Sequence, residues 1–118
     1  MSPAVAPLVL TLGEPAGVGP EIVAAAWTAL KAEPLAFAVI GDAGLLREQG
    51  VAVLEISDPG DAAGRFGRAL PVIHRPLPAP VRVGRPDPAN APAVADGIEE
   101  AVGFAPVSYT HLTLPTRA

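Results

Sequence analysis

Hydrophobic positions along the chain fall into short dense runs separated by glycine and proline, and the runs alternate between two periods. LVLTL at Leu8–Leu12 is compact, apolar and partly β-branched, and it ends at Gly13, which predicts a short buried strand. The stretch from Gly13 through Pro20 holds two prolines and three glycines, so a loop is predicted there. Pro20 suits a first helical position, where its missing N–H is not needed. Behind it Ile22, Val23, Ala26, Trp27 and Leu30 recur at helical spacing, predicting a helix that packs Trp27 and Leu30 against a sheet and stops at Pro34.

LAFAVI at Leu35–Ile40 predicts a second strand. Asp42 is placed to cap a short helix through Gln49, with Gly50 as its left-handed terminator. A third strand is expected over Val51–Ile56, and Asp58–Arg68 reads as either a weak helix or a loop. Leu70–Ile73 is a fourth candidate strand, Pro76–Pro92 an extended connection, and a last helix starts near Asn90 or Ala91 with Val94, Ile98, Ala101 and Val102 on one face. Strands alternating with helices point to the α/β class with a mostly parallel sheet.

Composition narrows the function classes. With 118 residues there is room for one domain. Half of the residues are hydrophobic and the mean hydropathy is +0.40, apolar for a small free-standing domain. That value reflects alanine and valine usage, apolar surface meant for further protein, or both. Twelve glycines and fifteen prolines stay below the roughly 25–30% typical of low-complexity chains. A net charge of −4 provides no basic stripe for nucleic acid. No apolar run approaches the roughly 18 residues of a membrane span. Met1–Leu12 carries no Lys or Arg, so a secretory leader is not expected and a cytoplasmic location is. The absence of cysteine removes disulfides and thiolate metal sites.

The sharpest motif is LTLGEPAGVGPEIV, a strand, a glycine-rich turn and a helix start. Free N–H groups at a helix N-terminus favour anions, and glycines permit close backbone approach. The residues Gly13, Glu14, Gly17 and Gly19 are therefore the candidate active-site loop, with a tight packing turn as the competing reading. Neither standard fingerprint is met. A G-x-G-x-x-G from Gly17 would need glycine at Ile22, and a P-loop from Gly13 would need Gly-Lys at Val18-Gly19. A carboxylate at Glu14 repels phosphate and suits a hydroxyl, an ammonium group or a metal-bound water. Asp42 stands where dinucleotide folds place a ribose-binding acid, but a helix start at the same point favours a cap. His74 reads as a surface or capping histidine. Two isolated histidines, His74 and His111, do not make a metal site.

The run GEPAGVGPE after an apolar strand resembles the N-terminal signature of the 4-hydroxythreonine-4-phosphate dehydrogenase family. VIGDAGLL and VGRPDPANAPAVADGIEEAV resemble its second strand and the approach to a long helix, so the resemblance covers about Val9 to Phe104. It implies an incomplete α/β/α sandwich of the isocitrate/isopropylmalate dehydrogenase-like type. It further implies a homodimeric enzyme that uses NAD and a divalent metal (Zn, Mg or Mn) held by histidines. Such an enzyme oxidises the secondary alcohol of a phosphorylated hydroxy-amino acid, 4-phosphooxy-threonine, with loss of CO2 on the route to pyridoxal phosphate. A metal on the alcohol oxygen suits both steps. The family's metal histidines, its phosphate ligands around TGP-x-x-K and GHT, and its nucleotide loops have no counterpart in this chain. No catalytic, cofactor or metal residue is therefore assigned, and the chain alone is expected to be inactive. The alternatives are a small stand-alone α/β module binding a nucleotide or phosphate, and an interaction domain using its apolar surface.

Residues 1–106 are thus expected to form the dehydrogenase-like unit, and 107–118 a non-native tail. Val107–Thr116, VSYTHLTLPT, breaks the composition and translates GTC TCT TAT ACA CAT CTG ACG CTG CCG ACG, a string resembling a transposon-end sequencing adapter. The adapter's flanking bases also fit codons for Pro106 and Arg117. The competing reading is an edge strand in which Val107 and Tyr109 alternate with polar residues.

Overall fold

The computed structural model describes residues 8–104 and the backbone of 110–113. Five parallel strands form one sheet: β1 (Leu8–Thr11), β2 (Phe37–Gly41), β3 (Val53–Glu55), β4 (Leu70–His74) and β5 (Thr110–Thr113). Their order is β3-β4-β2-β1-β5, with Leu8 opposite Phe37 in β2 and opposite Thr110 in β5. Three helices connect them: α1 (Gly19–Leu30), α2 (Ala43–Arg47) and α3 (Ala91–Phe104).

A parallel sheet is covered on both faces, so its strands are apolar without alternation. Phe37, Ala38, Val39 and Ile40 are accordingly all buried. Alternate residues feed two cores. Phe37, Val39, Leu70 and Val72 meet Val23 and Trp27 of α1 and Leu46 of α2. Val9, Ile40 and Ile73 face the other way, against Ala101 of α3. The result is three layers, α/β/α, as the family resemblance implies, around the parallel sheet that the alternation of elements predicts. Trp27 anchors the larger core: its Nε1 donates to the Phe66 carbonyl at 2.7 Å, and Lys31 Nζ sits 4.8 Å from its ring centroid.

Several boundaries differ from the sequence reading, for identifiable reasons. β2 starts two residues after Leu35, because the turn closing α1 runs on through Leu35, whose N–H donates to the Glu33 carbonyl. α2 ends at Arg47, and the turn continues to Gly50 at φ +83°, the left-handed terminator expected there. β1 and β3 are each shorter than expected. Asp58–Arg68 is a single 3-10 turn (Pro59–Ala62) capped by Asp58, followed by irregular backbone. The buried face of α1 carries Pro20, Val23, Ala24 and Trp27, so Ile22 is exposed instead. Val102 is likewise exposed, because α3 buries fully only Ala101 and half-buries Val94 and Ile98.

The proline-rich connection is pinned at two points. Buried Asn90 accepts from the Ala79 N–H at 2.9 Å and donates to the Ala79 carbonyl at 3.2 Å, pairing as a strand would. The Gly84 N–H donates to the Ala16 carbonyl, tying the connection to the glycine-rich loop.

Candidate functional site

The loop from Gly13 to Gly19 turns the chain from the C-terminal end of β1 into α1. Gly13 adopts φ +70°, a left-handed conformation that favours glycine. Glu14 folds back on its own loop: Oε1 accepts from the Ala16 N–H at 3.0 Å, and its carbonyl accepts from the Gly17 N–H at 3.0 Å. Gly19 lies against the β1 exit so closely that a Cβ there would stand 1.9 Å from the Leu12 carbonyl oxygen. The steric demand for glycine therefore falls on Gly13 and Gly19, while Gly17 has an ordinary backbone φ.

Asp42 caps α2. Its Oδ1 accepts from the Gly44 N–H at 2.8 Å, and its Oδ2 accepts from the Leu77 N–H at 3.3 Å. Both oxygens are committed to backbone, which answers the ribose alternative in favour of the cap. His74, at the end of β4, caps the same helix from across the sheet, its Nδ1 accepting from the Ala43 N–H at 3.0 Å. Arg75 follows, with Nε donating to Glu100 Oε1 at 2.9 Å, Nη2 to Glu100 Oε2, and Nη1 to the His74 carbonyl at 2.8 Å. The hydrogen bonds it donates to the Glu100 carboxylate hold the Arg75 guanidinium above its ordinary pKa. His111 falls within β5, opposite Val9, at a position where only the backbone is described.

Sequence reasoning missed three features that meet beside this loop. Thr11 is 3% exposed, and its Oγ1 has no hydrogen-bond partner among the described residues. An unpaired buried hydroxyl costs about 1–3 kcal/mol, so it calls for a physical reason. Thr11 lines a crevice with Gly13, Pro15, Asp42, Arg75 and Gly97. The Arg75–Glu100 pair joins the end of β4 to α3 over 25 residues, a separation with no local signal. Among the described residues no group of three His, Cys, Asp or Glu side chains converges to hold a metal.

No family model matches the chain. It is 48% identical over 101 residues to 4-hydroxythreonine-4-phosphate dehydrogenase of Caulobacter vibrioides, a match spanning 84% of this chain. The Paracoccus denitrificans enzyme of the same name is 44% identical over 99 residues. The chain is a relative of 4-hydroxythreonine-4-phosphate dehydrogenase. It spans 30% of the Caulobacter protein's length and 29% of the Paracoccus protein's. The crystal structure of the Klebsiella pneumoniae dehydrogenase superposes with a TM-score of 0.79 at 28% identity, covering 92% of this chain and 37% of that one. A Salmonella typhimurium structure described as a putative enzyme of the same kind gives 0.74 at 26% identity. These dehydrogenases carry the isocitrate dehydrogenase-like fold, which is the architecture of the present sheet and its helices.

Proposed function

We propose that this chain supplies part of an NAD-dependent dehydrogenase that oxidises and decarboxylates 4-phosphooxy-L-threonine in pyridoxal phosphate synthesis. The observation that carries this reading is the 48% identity over 101 residues to a dehydrogenase named for that substrate. NAD as oxidant, a divalent metal (Zn, Mg or Mn), a homodimer and a cytoplasmic location belong to the same reading. The described residues do not fit the metal, since no ligand cluster converges among them. Asp42 serves as a helix cap, its oxygens accepting from the Gly44 and Leu77 N–H groups. The contribution assigned to this chain is the loop of Gly13, Glu14, Gly17 and Gly19. Glu14 Oε2 has no hydrogen bond among the described residues and is suited to accept from a substrate hydroxyl or ammonium group.

Assayed alone with NAD, 4-phosphooxy-threonine and Mg, Mn or Zn, the 118-residue chain is expected to produce no NADH, and clear turnover would overturn the partial-enzyme reading. A chimera in which residues 8–104 replace the matched segment of the Caulobacter enzyme tests the loop. Glu14→Ala in that chimera should lower turnover about ten- to a hundredfold, the value of one hydrogen bond to a charged group at about 1.5–3 kcal/mol. The melting temperature should hardly move. Unchanged turnover would reduce the loop to a packing turn.

The same reading gives residues 107–118 no part in the native unit. An open strand edge accepts almost any extended segment through main-chain hydrogen bonds, so pairing of Thr110–Thr113 with β1 is compatible with a non-native tail. A chain ending at Pro106 should melt within about 2 °C of the full one, which corresponds to less than roughly 0.5 kcal/mol at this size. A loss of several degrees would make the tail an integral strand.

A further inference from the structure

We propose that the groove at the amino ends of β2 and β4 binds a small aliphatic carboxylate, with the Lys31 ammonium as its counter-ion. The groove lies at the opposite end of the sheet from the glycine-rich loop. Three segments wall it: the turn that closes α1, residues 34–36 leading into β2, and residues 63–67 leading towards β4. Together they bound a cavity of about 310 Å³. At roughly 10–15 Å³ per water-sized group, a short alkyl chain fits with room to spare.

The apolar part of the groove is built from Pro34, Leu35 and Ala63. Leu35 is 36% exposed, open to solvent at a point where an alkyl chain can cover it. Contact between the two removes apolar surface of both from water. Phe66 closes the floor, held edge-on against Phe37 and, through its carbonyl, by the Trp27 indole N–H. The floor is therefore an extension of the larger core.

Charge selects an anion. Lys31 lines the groove, its Nζ held 4.8 Å from the Trp27 ring centroid. Arg65 and Arg68 are exposed on either side of Phe66 and Gly67. Among the described residues none of these three cations forms an ion pair. Opposing them are the Glu33 carboxylate, also in the lining, and the carboxyl end of α1, worth about half a negative charge. No other acid stands in the lining or next to it in sequence, so the surplus is positive. A monoanion uses that surplus, whereas a phosphate dianion meets about twice the repulsion from Glu33. The Gly64 and Gly67 N–H groups, both on lining residues, donate to no acceptor among the described residues and remain free for a carboxylate oxygen.

The test is a titration of the 118-residue chain with hexanoate and, separately, hexylammonium, ligands of one body and opposite charge, followed by 1H–15N spectra. Hexanoate should shift the Gly64 and Gly67 amides and the Trp27 indole N–H saturably, with a Kd of about 1–10 mM. Hexylammonium should bind at least about tenfold more weakly, because it exchanges attraction to Lys31 for repulsion. Lys31→Gln should weaken hexanoate about fivefold, the value of one solvent-exposed ion pair, while Lys31→Arg stays within about twofold of the parent. Glu33→Gln should tighten hexanoate about twofold by removing the opposing charge. Both positions are exposed, so the variants should melt with the parent chain. Absence of saturable shifts, hexylammonium binding as tightly as hexanoate, or unchanged hexanoate affinity in Lys31→Gln each overturns the proposal. None of these readouts depends on turnover, so the result is separable from the dehydrogenase reading.

Discussion

Gly19→Ala is expected to cost about 3 kcal/mol or more, enough to leave much of the chain unfolded near body temperature. The added methyl would stand 1.9 Å from the Leu12 carbonyl oxygen and 3.0 Å from its carbon, both backbone atoms of the β1 exit. Neither can swing aside as a side chain could, so α1 must lift off the sheet and drag Val23 and Trp27 out of register with the core. Gly103→Ala is the control. It meets nothing within 4 Å on α3 and should stabilise the chain by a few tenths of a kcal/mol, up to about 1, through helix propensity. Thermal melts of the two variants should diverge by about 10 °C or more, at roughly 4 °C per kcal/mol for a chain of this size. Similar melting temperatures would show that the approach of α1 to β1 is not tight.

The second large effect is at Trp27, the single tryptophan. It is 5% exposed at the junction of α1, β2 and the segment carrying Phe66, whose ring meets Phe37 edge-on at 4.7 Å. Trp27→Ala should cost about 3–5 kcal/mol, through lost burial and the cavity it leaves. Trp27→Phe keeps most of the apolar contact but strips the Phe66 carbonyl of its donor, and should cost about 1–3 kcal/mol. Denaturant melts followed by circular dichroism give both values. A Trp27→Ala loss below about 1 kcal/mol would mean that the larger core does not depend on this side chain. The native tryptophan emission, blue-shifted by burial and quenched on unfolding, checks the same point independently.

Much of this architecture was legible one segment at a time. The strand at Leu8, the glycine turn, the helix entered through Pro20, the strands at Phe37 and Leu70, and the final helix all follow from local periodicity and from where glycine and proline interrupt it. The Asp42 cap was equally readable, because an Asx side chain reaches a backbone N–H two residues ahead. Ile22 and Val102 were misplaced because apolar residues at a helix boundary stripe satisfy the same periodicity whether they face the sheet or the solvent. Burial is decided by what packs opposite.

The sequence by itself therefore determined the identity and order of β1 to β4 and α1 to α3, the α/β class and the resemblance to the dehydrogenases, all of which rest on contacts within a few residues or on contiguous motifs. Only the tertiary structure decided that β4 lies between β2 and β3, which sets the diverging strand exits that open the crevice. It alone joined Arg75 to Glu100 and His74 to the start of α2, left the Thr11 hydroxyl buried without a partner among the described residues, and made Gly19 indispensable. Each of these depends on groups brought within a few ångströms by chain crossings, and a crossing leaves no periodic trace in the residues it brings together.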